Sequence, residues 1–201
     1  DAFTNGSKTT PTDAYAWAQG KAITGSGGPD LQLKTPLDFY MVADHAEFMG
    51  VFNQMANPDS PLSKTELAKG VTSPDANVRI QTFAGILRDM SAGKRDPMLT
   101  DPALARSVWA EIIKAADANY LPGKFTTFVA WEFSANAPEG KGGMMHRNVI
   151  FRSDKVPTPF SAFDGTGEDL HSYLEKNCTG DCKVLTIPHN PNFYWGRLYW
   201  G

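Results

Sequence analysis

Three of the chain's four histidines fall at the boundary of a segment that reads as a β-strand. His45 follows the apolar run Leu37–Ala43, His146 opens the run Met145–Arg152, and His189 follows Lys183–Ile187. Glu132 is placed in a similar way, inside the frame Val129-Ala130-Trp131-Glu132-Phe133. An unpaired carboxylate among such neighbours costs several kcal/mol, so it must be protonated, hydrogen-bonded or bound to a cation. Strand ends in α/β folds are where loops gather functional side chains. Four ligand-type residues on four segments can converge there, and imidazole with carboxylate suits zinc, iron or manganese.

A lone histidine at a strand end is more often a structural residue than a ligand. That bland reading fits Glu132 less well, because Trp131 and Phe133 imply a buried setting. Other candidates carry less. His171 lies mid-helix in Glu168-Asp169-Leu170-His171-Ser172-Tyr173 and reads as a solvated or capping residue. Ser134 has no His-Asp arrangement that would single it out as a nucleophile. Gly25-Ser26-Gly27-Gly28 lacks the spacing of a dinucleotide fingerprint and the Lys of a phosphate loop. The aromatic cluster Phe193-Tyr194-Trp195, with Tyr199 and Trp200, reads as packing or an interface before it reads as a substrate platform.

The elements that must position these residues can be followed along the chain. Thr10-Pro11-Thr12-Asp13 opens a helix, with Thr10 as N-cap and Pro11 at the first helical position. A Gly- and Pro-rich loop leads to the strand Leu37–Ala43, expected to be buried, and then to Asp44-His45-Ala46-Glu47. A short helix to about Asn57 is expected to be opened by those acidic residues. Residues 58–75 read as surface chain, and Ala76–Ala92 as a helix with Phe83, Ile86, Leu87 and Met90 on one face. Asp101 caps the next helix, whose stripe is Leu104, Val108 and Ile112. Strands follow at 125–133 and 145–152, joined by a Gly-rich, hairpin-like or lid-like loop, then a helix at 167–177 and a strand at 183–187. Strands alternating with helices indicate an α/β layered or barrel-like domain with one antiparallel pair.

The bulk properties limit the partners. A 201-residue chain with 41% hydrophobic and 20% charged residues is one globular domain with a real core. A net charge of -3 leaves no basic face for a phosphate backbone, so nucleic acid is excluded as the main partner. No apolar run approaches the roughly 20 residues of a membrane span. Cys178 and Cys182 do not match a redox C-x-x-C, and a zinc site would want more soft ligands nearby. A local disulfide and two free thiols stay open at this point. A disulfide would indicate a periplasmic or secreted protein, with the cytoplasm still open.

Taken in order, four motifs resemble a known family: Asp44-His45-Ala46-Glu47, Trp131-Glu132-Phe133-Ser134, His146-Arg147-Asn148-Val149-Ile150-Phe151 and Ile187-Pro188-His189-Asn190. With Asp1-Ala2-Phe3 and Asp13-Ala14-Tyr15, they resemble the largely bacterial family catalogued as domain of unknown function 3604. That family is similar to the PHP (polymerase and histidinol phosphatase) metallohydrolases. The resemblance implies an α/β fold, a distorted (β/α)7 barrel holding divalent metal ions (Zn, Mn or Fe) at its strand ends.

By the same resemblance Glu132, His146 and His189 form one metal site, Glu132 is able to bridge to a neighbouring ion, and His45 serves that ion. Asp44 and Arg147 are implied in the chemistry, Asp44 orienting a ligand or water. Glu47, Asn148 and Asn190 are implied as contacts to the ligands or the substrate. The family's His-x-His motif is expected before Asp1 and a later Asp-x-His-type motif beyond Gly201, so this chain is expected to be the central portion of the domain. Three protein ligands with water still make a complete catalytic zinc shell. The implied activity is hydrolysis of a small-molecule phosphate ester by metal-activated water. The alternatives are a metal-dependent hydrolase of another ester or amide, and a catalytically incomplete or structural metal-binding module that further polypeptide segments complete.

Overall fold

The computed structural model describes residues 3–4, 6–25, 28–136 and 144–189. In chain order the elements are α1 (Pro11–Ala18), β1 (Ile23–Thr24), β2 (Asp30–Leu31), β3 (Phe39–His45), α2 (Val51–Ala56), a 3-10 turn (Pro61–Lys64) and α3 (Glu66–Val71). There follow α4 (Ala76–Ser91), α5 (Pro102–Asn119), β4 (Thr126–Asn136), β5 (Met144–Phe151), α6 (Gly167–Asn177) and β6 (Val184–Pro188). The fold is mixed α/β with two sheets. β1 and β2 form a small antiparallel ribbon, and the main sheet runs β3-β4-β5-β6.

The main sheet combines one parallel pair, β3 with β4, and two antiparallel pairs, β4 with β5 and β5 with β6. Sequence pattern anticipates one antiparallel pair; the second arises because β6 returns alongside β5 after α6. Among the described residues the sheet is open, with β3 and β6 at its edges, and no closed barrel forms.

One face of the sheet is covered by helices. Tyr15 and Ala18 of α1, Trp109, Ile112 and Ala116 of α5, and Leu170 and Leu174 of α6 pack on Val129, Trp131 and Phe133 of β4 and on Val149 and Phe151 of β5. Trp131 anchors this core, edge-on to Trp109 at 5.4 Å and tilted against Phe151 at 4.9 Å. The other face carries Phe39 and Phe128 in edge contact, with Leu185 and Ile187 exposed on the opposite edge strand β6. The strand expected to be buried is therefore an edge strand, and its Phe39 is 64% exposed.

Helix starts follow their local chemistry. Thr10 and Asp13 form a reciprocal capping box on α1, and Thr166 and Asp169 do the same on α6. Asp75 and Asp101 cap α4 and α5. The helix after His45 behaves differently from expectation. It begins only at Val51, with no acidic residue in its first turn. The chain leaves β3 through Phe48 and Gly50, both at positive φ. At Gly50 an added side chain would also collide with Val108 of α5. This sharp exit turns Glu47 into the interior instead of leaving it to open a helix.

Residues 58–75, expected as surface chain, fold into the 3-10 turn and α3, capped by Ser60 and Thr65. Their apolar residues join α2 and α4 in a satellite cluster of Val51, Met55, Ala68, Val71, Ile86 and Leu99. Only Ile86 of α4 is fully buried there, and Leu87, expected on the same inner face, is 41% exposed.

Candidate metal centre

Register decides which side chains meet. His45 on β3 pairs with Glu132 on β4, which pairs with Asn148 on β5, which pairs with Ile187 on β6. One step along, Ser134 pairs with His146. Side chains alternate across a strand, so these residues all stand on the face away from the helices. Because β5 is antiparallel to β4, its beginning lies at the same end of the sheet as the ends of β3 and β6. His45, His146 and His189 are thereby gathered at one end, as the strand-boundary reading requires. Glu132 is not a strand-end residue: β4 runs on to Asn136, and Glu132 projects from within it.

Oε1 of Glu132 is the hub. It lies 2.9 Å from Nδ1 of His146 and 3.1 Å from Nε2 of His189, it accepts from Oγ of Ser134 at 3.3 Å, and Nδ1 of His45 is 3.7 Å away. One donor atom from each of Glu132, His146 and His189 lies within 4.8 Å of the other two. Tetrahedral zinc bonds of 2.0–2.2 Å need donors about 3.4 Å apart, so both imidazoles would have to move away from Glu132 to admit an ion. This buried Glu/His/His group can hold a metal ion. Exposure rises across it, from 12% for the Glu132 side chain to 14% for His146 and 29% for His189. The group is walled on the β4 side and accessible on the β6 side.

The electrostatics suit a cation. Burial pushes the Glu132 carboxyl up, but the hydrogen bond from His146 and the positive charge of His45, His189 and His146 outweigh it and hold the group below the usual carboxylate range. Burial pushes the His45 imidazole down, against the attraction of Glu132 and Glu47. Glu47 is nearly fully enclosed, and burial raises its carboxyl despite backbone hydrogen bonds. Its Oε1 accepts from the backbone N–H of Ser134 at 3.3 Å and of Ala162 at 2.6 Å, while Oε2 has no hydrogen-bond partner. Glu47 thus ties the site strand to the chain that leads into α6.

Two residues expected in the chemistry stand elsewhere. Asp44 pairs with Trp131, and Arg147 with Phe133 and Pro188, all on the helix-covered side of the sheet. Nη1 of Arg147 donates to Nε2 of His171 at 2.6 Å, and its Nε is buried without a partner. Arg147 therefore fastens β5 to α6, and His171, expected to be solvated or a cap, is its acceptor. Asp44 is exposed on the edge strand. Asn148 faces the site in the Glu132 row, whereas Asn190 and the aromatic cluster at 193–200 lie outside the described residues.

Ser134 is the residue that sequence pattern undervalues. Its Oγ contacts both Nδ1 of His45, at 2.5 Å, and Glu132. The signal was its place two residues beyond Glu132 on one strand, which puts both side chains on the same face. A further support for the site is covalent: Cys178 and Cys182 are joined by a disulfide. The bridge closes the turn between α6 and β6, the strand that delivers His189.

No curated protein and no solved structure matches this chain. The sequence pattern of one family, described as "Protein of unknown function (DUF3604)", matches residues 1–200. The chain belongs to that family, as its ordered Asp-His, Glu and His motifs imply.

Proposed function

We propose that this protein is a metal-dependent hydrolase of phosphate esters. The observation that carries the reading is the convergence of Glu132, His146 and His189, with Oε1 of Glu132 within 3.1 Å of a nitrogen of each histidine. When bound, a divalent ion supplies Lewis acidity, toward water as nucleophile and toward the oxygen on which charge develops. Glu132 supplies the negative charge and His146 and His189 the neutral nitrogens of the shell. His45, whose Nδ1 lies 3.7 Å from Glu132, would serve a neighbouring ion on this reading. Asn148, which pairs with Glu132 in the same row, would contact substrate on this reading. The choice of phosphate ester over another ester or an amide rests on the resemblance to PHP metallohydrolases, an argument from fold to chemistry.

The test is to purify the protein with its metals retained and assay generic phosphomonoesters, phosphodiesters and carboxylic esters, with and without chelator. Chelator-sensitive turnover of a phosphate ester is expected, and turnover indifferent to chelation contradicts the reading.

A second reading is favoured by the sheet face that no described residue covers, where Phe39 is 64% and Leu185 59% exposed. Parallel strands are ordinarily buried on both faces. On this reading the chain is a metal-binding module, and further polypeptide completes a PHP-like barrel over that face. The intact mass of the protein from its source, compared with 22.0 kDa, distinguishes the two. The Cys178–Cys182 disulfide supports a periplasmic or secreted location.

A further inference from the structure

The two histidines nearest Glu132 are not held equally. His146 stands on β5, which is paired on both sides, whereas His189 follows β6, an edge strand that pairs only with β5 among the described residues. A strand keeps its register where one of its faces is buried, because a slip would then disturb a whole apolar row. β6 lacks that protection. None of its side chains is fully buried, and Val184, Leu185 and Ile187 are exposed. Its backbone hydrogen bonds to β5 would form equally well after a slip of two residues, which returns every side chain to its own face. At about 3.3 Å of rise per residue, that slip carries His189 about 6.6 Å along the strand. Its Nε2 lies 3.1 Å from Oε1 of Glu132 in the observed register, so the contact would be lost.

The connection to α6 is what stands against such a slip. α6 is anchored by the buried Leu170 and Leu174, and Cys178 is its C-cap. Cys182 is buried in the same core, and Lys183 alone separates it from the first residue of β6. Four extended steps from Cys178 to Cys182 would span about 13 Å. The disulfide holds these two Cα atoms 5.1 Å apart, which takes about 8 Å of slack out of the connection. An advance of β6 by two residues needs nearly all of that slack.

We propose that the Cys178–Cys182 disulfide is a register lock, a positioning device that keeps His189 beside Glu132 by preventing β6 from advancing along β5. Its effect on metal affinity rests on the metal-dependent reading above; the register itself does not.

The experiment compares the whole chain with its Cys178→Ala/Cys182→Ala form, in which no thiol is left to compete for metal. Zn2+ affinity is measured by calorimetry in both, and again in each with His189→Ala added. Loss of the bridge is expected to lower affinity about tenfold, the scale on which a ligand's outer support acts, and to change nothing once His189 is gone. Cross-strand nuclear Overhauser contacts in the metal-free protein report the register. Asn148 is expected to contact Ile187 in the unsubstituted chain, and to contact Leu185 in part once the bridge is lost. The same contacts in the phosphine-reduced unsubstituted chain give the answer without any substitution, should the double variant fold poorly. Unchanged Zn2+ affinity in the folded double variant, an equal loss with and without His189, or an Asn148–Ile187 contact undiminished by reduction overturns the proposal. Zn2+ binding indifferent to Glu132→Gln contradicts the metal-dependent reading instead, and the Asn148 contacts still decide the register.

Discussion

Oε1 of Glu132 lies 2.9 Å from Nδ1 of His146, although the two residues are 14 apart in sequence. The antiparallel register of β4 and β5 makes this possible, because it sets His146 opposite Ser134, the same-face neighbour of Glu132. A second closure brings in His189, since β6 is parallel to β4 and ends at the same edge of the sheet. Donors from three strands thus meet without any of them being close in sequence. Each of the following expectations probes one part of that arrangement.

Replacing Glu132 by Gln keeps the size and removes the charge. Loss of a group that merely orients a ligand costs 10–100-fold in metal affinity, and loss of the anionic ligand itself should cost about 100-fold or more. Titration of the metal-free protein with Zn2+ by calorimetry measures this. Unchanged affinity would show that Glu132 is not in the shell.

His171→Ala is expected to lower stability by about 1–3 kcal/mol, because it strands a second nitrogen of the buried Arg147 without an acceptor. Urea unfolding gives the number, and Zn2+ stoichiometry in the same variant should be unchanged, since Arg147 and His171 lie across the sheet from Glu132. A loss of bound metal with no loss of stability would return Arg147 to the site.

The Cys178–Cys182 bridge closes a very short loop, and on the chain-entropy argument it contributes about 2 kcal/mol. Unfolding midpoints with and without a phosphine reductant should differ accordingly. If they coincide, the turn into β6 is held by packing alone.

Tyr15 supplies a pH dependence on the face of the sheet away from Glu132. Burial, with the nearby charges of Asp44 and Tyr40, raises its phenol to about 12 against an ordinary 10.0. In the unfolded chain the phenol ionises near pH 10, while in the folded protein it stays neutral and keeps its hydrogen bond to the Phe128 carbonyl. Stability from this group is therefore complete below pH 10 and is lost as pH rises from 10 to about 12. The fall in thermal midpoint across that interval should be shallower in Tyr15→Phe than in the original protein. Parallel curves would show that the phenol does not contribute.

Much of the site was legible in sequence because it rests on two strong local signals, histidines at the ends of apolar runs and a carboxylate inside one. Helix starts with a side-chain acceptor were equally legible: Thr10, Asp101 and the segment at 167–177 fall where their chemistry puts them. The faces were not. Asp44 and Arg147 neighbour His45 and His146 in sequence, and strand alternation sends neighbours to opposite sides, which adjacency in sequence does not reveal. The burial of β3 was also misjudged, since an apolar run does not reveal whether a strand lies at the edge of its sheet. Glu47 was misread as a helix-opening charge because nothing local announces the left-handed turn at Phe48 and Gly50.

Crystals of the protein grown with Zn2+ or Mn2+, measured at wavelengths on either side of the metal's absorption edge, address the central claim most directly. The account predicts an anomalous peak about 2.0–2.2 Å from one oxygen of Glu132 and one nitrogen each of His146 and His189, in the case of zinc. Density at these three side chains without such a peak, with the imidazoles still hydrogen-bonded to Glu132 at saturating metal, would contradict it.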